Sequence, residues 1–100
     1  MATAHKWEMS PELWSLVDTM RRETEALRST LSDLYETIDT EVTEHNDTWD
    51  ERSERWQDGD KGQSVSAWIQ DWISYRDDVE TAMGNLDDIL TTPEETPEPV

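Results

Sequence analysis

From Glu12 to Asp58 the chain contains neither glycine nor proline. Apolar or semi-polar residues recur through this stretch at Leu13, Val17, Met20, Thr24, Leu27, Leu31, Leu34, Ile38, Val42, His45, Trp49, Arg52 and Trp56. The steps alternate between four and three, apart from two consecutive fours at Leu34-Ile38-Val42. A strand would need strict alternation. This spacing instead lays one stripe along a helix, as a heptad pattern with a single stutter. Ser10-Pro11-Glu12 supplies a start: a capping hydroxyl, a proline tolerated in the first turn and an acid at the positive end of the helix dipole. Met9 and Trp14 have the spacing of a hydrophobic staple across that cap.

The pattern predicts a first helix over about 11–57, which would be about 70 Å long. Its weak segment is Thr37 to Thr48, rich in Thr, Asp and Asn, which are poor helix formers. Thr48 and Glu51 have capping-box spacing, so a break near 46 is an alternative to a continuous rod. Continuity is favoured because the stripe keeps its phase. Asp58-Gly59-Asp60-Lys61-Gly62 reads as a turn with two glycines able to adopt positive φ. A second helix over about 63–90 carries Val65, Trp68, Trp72, Tyr75, Val79, Ala82, Leu86 and Ile89, flanked by Ile69, Ile73, Met83 and Leu90.

The fold class is therefore all-α, a helical hairpin with a flexible N-terminus (1–9), one helical domain (10–90) and a disordered acidic, Pro-rich tail (91–100). The apolar face of the second helix is wider than a two-stranded seam requires. The first arm overhangs the second by roughly 18 residues if unbroken. Antiparallel homodimerisation into a four-helix bundle would cover the excess; folding back near residue 46 into three helices is the other solution.

Composition narrows the function. The apolar fraction is 33% and the net charge is −17, a pairing that leans toward disorder. Six tryptophans offset it, since each can bury about 150–250 Å². The acid is distributed along the whole chain, a field that repels phosphates and anionic lipid and attracts basic protein surfaces. Direct binding to nucleic acid or membrane is not expected. With no cysteine, disulfide and thiol chemistry are excluded. The N-terminus lacks the apolar run of a signal peptide and no stretch reaches the ~18 apolar residues of a membrane span, so a cytoplasmic location is the default expectation.

The most suggestive constellation is an acidic stripe at Asp33, Glu36, Glu44, Asp47, Glu51, Glu54 and Asp58. With Thr37, Thr40 and Glu41 interleaved between Glu36 and Glu44, the steps are three and four, at which neighbouring carboxylates lie about 5–6 Å apart, similar to the phosphate spacing along a nucleic-acid strand. A rigid helix bearing them could occupy the basic cleft of a DNA- or RNA-binding protein, through charge-assisted contacts to Arg and Lys. The plainer reading is a solvated helix face. These seven are the candidate partner-binding residues; no catalytic residue, cofactor or resident metal is expected, and the chain reads as a non-enzyme.

Three further patterns carry less. Asp50-Glu51-x-x-Glu54 with Asp77, Asp78 and Glu80 loosely resembles the EExxE and ExxD segments of MazG-type nucleotide pyrophosphohydrolases, a resemblance that implies magnesium binding. The matches are inexact: Asp replaces Glu at 50, and Met83 stands where the pattern has Asp. Trp56-Gln57-Asp58-Gly59 between two helices is similar to the WxG secreted hairpins, which implies export as helical dimers. Two residues separate Trp from Gly here where those proteins have one, and Val79 replaces the acid of their C-terminal signal. His45, on the core stripe without a second ligand at zinc spacing, is expected to relieve a kink. Trp49, Trp56, Trp68 and Trp72 are expected to clamp the hairpin from inside, while Trp7 and Trp14 are better placed to meet a partner.

Overall fold

The computed structural model describes residues 7–94 and 97. Three helices follow one another: α1 (Pro11–Asp50), α2 (Glu54–Asp58) and α3 (Asp60–Leu90). No strand occurs among the described residues. α1 and α3 pack antiparallel, so the chain is an all-α hairpin measuring 87 × 20 × 18 Å. Its radius of gyration is 23.5 Å, against about 13 Å for a compact chain of 100 residues. Trp7 to Ser10 precede α1, and 91–94 follow α3, without regular structure. The remainder of the proposed flexible terminus and acidic tail, 1–6, 95–96 and 98–100, lies outside the described residues.

The start of α1 follows the sequence. Ser10 Oγ accepts from the Leu13 amide at 3.2 Å, with Pro11 and Glu12 in the first turn. α1 then passes unbroken through the Thr-rich segment. Thr43 and Thr48 donate their hydroxyls back to the Asp39 and Glu44 carbonyls, at 2.8 and 3.0 Å. Thr48 therefore spends its hydroxyl inside the helix and opens no new cap near residue 46. Burial of Ile38 and Val42 against α3 holds the segment helical despite its weak propensity. The break falls at 51–53, where Ser53 turns extended and its Oγ accepts from the Trp56 amide at 3.3 Å. The predicted rod of 11–57 is thus 11–50 plus one short helix.

The turn also differs from expectation. No described glycine has positive φ; Gly59 is extended at φ −75, ψ 168, and α3 already begins at Asp60. Gly62 is needed for proximity. A Cβ there would lie 2.1 Å from the Trp56 carbonyl oxygen and 2.7 Å from Gln57 Cα. This close approach lets Trp49 Nε1 donate to the Gly62 carbonyl at 2.9 Å. The Gln57 amide donates to the carbonyls of Trp49 (3.0 Å) and Arg52 (3.1 Å) and, longer, Asp50 (3.4 Å). Gln63 in turn donates to the Gln57 carbonyl at 2.9 Å. Carbonyls left orphaned where α1 ends are thereby satisfied by side chains.

The seam between the arms has no stutter. One series of buried and half-buried positions of α1 runs Val17, Arg21, Thr24, Arg28, Leu31, Tyr35, Ile38, Val42 and, past exposed His45, Trp49, with Met20 and Leu34 half-buried beside it. This is an unbroken alternation of four and three, in which Arg21, Arg28 and Tyr35 occupy places the stripe assigned to Met20, Leu27 and Leu34. Leu27 is exposed; Leu34 packs at the edge of the core formed by Ile38, Val42 and Ile69. On α3 the seam is Ile69, Ile73, Arg76, Val79, Met83, Leu86 and Leu90. The contact line thus joins the flanking Ile69, Ile73, Met83 and Leu90 with Val79 and Leu86 of the predicted stripe, whereas the stripe's Trp68, Trp72, Tyr75 and Ile89 are exposed.

Arginines cross the seam in register. Arg28 makes a bidentate pair with Asp87, its second contact at 3.1 Å, which raises the guanidinium above its ordinary pKa. Arg76 pairs with Asp77 at 3.2 Å and Asp39 at 2.8 Å and lies 5.9 Å from the Tyr35 ring. Arg21 donates to Thr92 Oγ1 at 2.8 Å. Since α3 ends at Leu90, the turns of α1 before Arg21 extend beyond it. That overhang, about ten residues, is shorter than the roughly 18 expected because α3 starts earlier and α1 ends earlier.

Candidate partner-binding surfaces

Two surfaces stand out, one charged and one apolar. All seven carboxylates of the acidic stripe are exposed. Within the described residues none of them forms an ion pair; the acids used internally are Asp39, Asp77 and Asp87. Asp33 and Asp47 each follow a seam position, Leu31 and His45, by two residues. At about 100° per residue they point away from α3. Glu36 and Glu44 stand to either side on the same helix. The helix break separates the others: Glu51 caps α1, whereas Glu54 and Asp58 begin and end α2. The structure thus keeps four of the candidate residues on one straight helix and distributes three around the turn.

The apolar surface was only partly visible in the sequence. Among residues within helices, the large apolar side chains left exposed are Leu13, Leu16, Leu27, Trp68, Trp72, Tyr75 and Ile89. Each stands one residue before a seam position or, for Leu13, before half-buried Trp14. One residue back is a rotation of about 100° in the same sense on both helices. Because the helices run antiparallel, equal rotations bring both sets to the same side of the hairpin. The residues one after the seam are polar or Gly: Asp18, Arg22, Glu25, Ser29, Ser32, Glu36, Asp39 and Thr43 on α1, and Gln70, Ser74, Asp77, Glu80, Gly84 and Asp87 on α3. The hairpin therefore has one flank carrying all its exposed helical apolar bulk and an opposite flank carrying none.

Near the turn this flank deepens into an open groove of about 280 Å³ lined by Ile38, Glu41, Val42, His45, Trp68, Ile69 and Trp72. His45 is exposed and meets the Trp68 ring edge-on at 5.1 Å, and Trp72 meets Tyr75 likewise at 5.6 Å. His45 therefore relieves no kink. The tryptophans divide: Trp49 and Trp56 close the turn, with Arg52 stacked 4.3 Å over Trp56, while Trp68 and Trp72 face outward. The signal that finds the outward pair is the presence of two adjacent apolar lines on α3, Trp68-Trp72-Tyr75 beside Ile69-Ile73, of which α1 can cover only one.

Asp50, Glu51 and Glu54 do not converge with Asp77, Asp78 and Glu80. Among the described residues no three His, Cys, Asp or Glu side chains gather as a metal site would require. No described helix is long and apolar enough to cross a membrane. Comparison with protein-family models, with curated proteins and with solved structures found no match for this chain.

Proposed function

We propose that this chain acts by binding another protein, without catalysing a reaction, and that the outward face of α1 is presented to a basic surface such as the nucleic-acid cleft of a DNA- or RNA-binding protein. The observation that carries the reading is the uncommitted state of Asp33, Glu36, Glu44 and Asp47: exposed, unpaired within the described residues and fixed on one straight helix. A carboxylate already satisfied by an internal arginine gains little from a partner's. These four retain their full capacity for charge-assisted bonds to Arg and Lys, and a rigid helix spends little entropy in presenting them.

The test reverses Glu44, Asp47 and Glu51 to Lys together. Proteins captured from a host lysate on the wild-type chain should be nucleic-acid binders, displaced by competing duplex DNA or RNA and by salt. The reversed chain should capture none of them while its circular dichroism stays helical. Capture that survives the triple reversal would refute the acidic-face reading. A second reading, an oligomerising bundle protein, is favoured by the one-sided apolar flank.

A further inference from the structure

We infer that a second copy of this chain covers the apolar flank, lying antiparallel so that the Leu13–Leu16 end of each copy meets the Trp68–Trp72 end of the other. The inference rests on apolar residues that the acidic-face reading does not use; of the acidic stripe only Glu44, one residue before His45, borders the same flank.

Four observations converge on a second copy as the occupant. The first is one-sidedness: every exposed large apolar side chain within the helices lies on a single flank, with Leu16 at 67%, Trp68 at 46% and Ile89 at 52% exposure. A solvated hairpin gains nothing from sorting its apolar residues in this way, and burying them is favourable by about 25 cal/mol per Å².

The second is the placement of bulk along the rod. Leu13 and Leu16 project where α1 extends past the last turn of α3, so this end offers a single ridge. At the far end Trp68 and Trp72 wall the groove of about 280 Å³. A ridge at one end and a groove at the other cannot meet within one chain. A two-fold axis across the middle of the rod seats both ridges in both grooves at once, and the contact closes on itself without leading to a filament.

The third is area. α1 is about 60 Å long and the hairpin about 20 Å wide, so a flank along it reaches the roughly 800 Å² from each partner that a stable interface needs. Two hairpins joined by this flank make a four-helix bundle, the usual solution for helices whose apolar face exceeds one seam.

The fourth is charge. Each copy carries −17, so any pairing must keep the acids apart. Docking through this flank leaves Asp33, Glu36 and Asp47 pointing away from the partner, and places Glu23, Glu41, Glu44 and Asp78, each one residue before a seam position, near the contact. Residual repulsion gives the pair a signature opposite to that of acidic-face binding: salt strengthens it.

Sedimentation of the full chain over a wide concentration range tests the inference, at low salt and at about 1 M, where the screening length is about 3 Å. The expected result is a reversible shift to twice the chain mass, occurring at lower protein concentration in high salt. Trp68→Ser with Trp72→Ser, both at exposed positions and so compatible with an intact helix by circular dichroism, should weaken the pair by about 100-fold or more. The chain has no cysteine, so Leu16→Cys chains mixed with Trp72→Cys chains report orientation, and oxidation should join the two kinds to each other. A chain that stays monomeric at both salts overturns the inference, including the case where a foreign amphipathic helix is the true occupant. So does a double variant that pairs as well as wild type, or cross-linking of Leu16→Cys chains mainly to one another. Reversal of Asp47 and Glu51 alone, which leaves Glu44 on the flank untouched, should still pair, so failure of the acidic-face reading and failure of this one are read separately.

Discussion

The two ends of the hairpin are built by different means. At the turn, short-range polar bonds and close backbone approach lock Trp49, Gln57, Gly62 and Gln63 together above the Ile38–Val42–Ile69 core. At the open end, α1 runs past α3 and the arms are tied by Arg28–Asp87 and Arg21–Thr92 across a seam that is partly polar. Trp14 shows the contrast most directly: its indole N–H is buried without a hydrogen-bond partner among the described residues, whereas that of Trp49 is satisfied by Gly62. Stability is therefore concentrated at the turn, whereas the open end is held by fewer and more polar contacts. Amide exchange should be slowest around 38–42 and 65–73 and fast over 11–20.

Substitutions rank this difference. Gly62→Ala forces its Cβ onto the Trp56 and Gln57 backbone, which cannot yield cheaply; a loss of about 4 kcal/mol or more is expected in chemical unfolding. Ile69→Ala empties the best-buried site, at 1% exposure, and should cost about 2–5 kcal/mol. Gln57→Ala removes the side-chain donor to the Arg52 and Trp49 carbonyls, of which Trp49 keeps the Arg52 amide, and should cost about 1–2 kcal/mol, read as a lower midpoint at unchanged slope. Gly84→Ala meets open space in the middle of α3 and should raise stability by about 0.5–1 kcal/mol. If Gly62→Ala proved milder than Ile69→Ala, the turn would owe its rigidity to the core beneath it, and the contrast between the ends would weaken.

The hairpin was legible because a glycine-free heptad stretch, a Ser-Pro-Glu start and a Gly-containing turn all imply it. The rotation of each helix was not. Hydrophobicity ranks Leu27 above Arg28, but it does not decide between Trp68 and Ile69, where two adjacent stripes one residue apart fit the same spacing. Arg28 belongs at the seam because its methylene stem lies along apolar surface while its guanidinium reaches Asp87, which a hydropathy pattern cannot register. The turn was misread for a related reason. Gly62 was assigned conformational freedom, but its role is the absence of a Cβ beside a carbonyl two turns away in space. On the acidic face, exposure was foreseeable from charge, whereas the separation of Glu54 and Asp58 from α1 depended on Ser53 acting as a cap.

The local character of the turn also sets an order of events for the folding chain. Trp49 and Gly62 are 13 residues apart, whereas Arg21 and Thr92 are separated by 71. Closing the short loop first makes each later pairing a small increment, so the arms should zip outward from the turn and reach the overhang last. A nascent chain cannot begin this until Gly62 has been synthesised, and through that interval the whole of α1 waits with its seam unmatched.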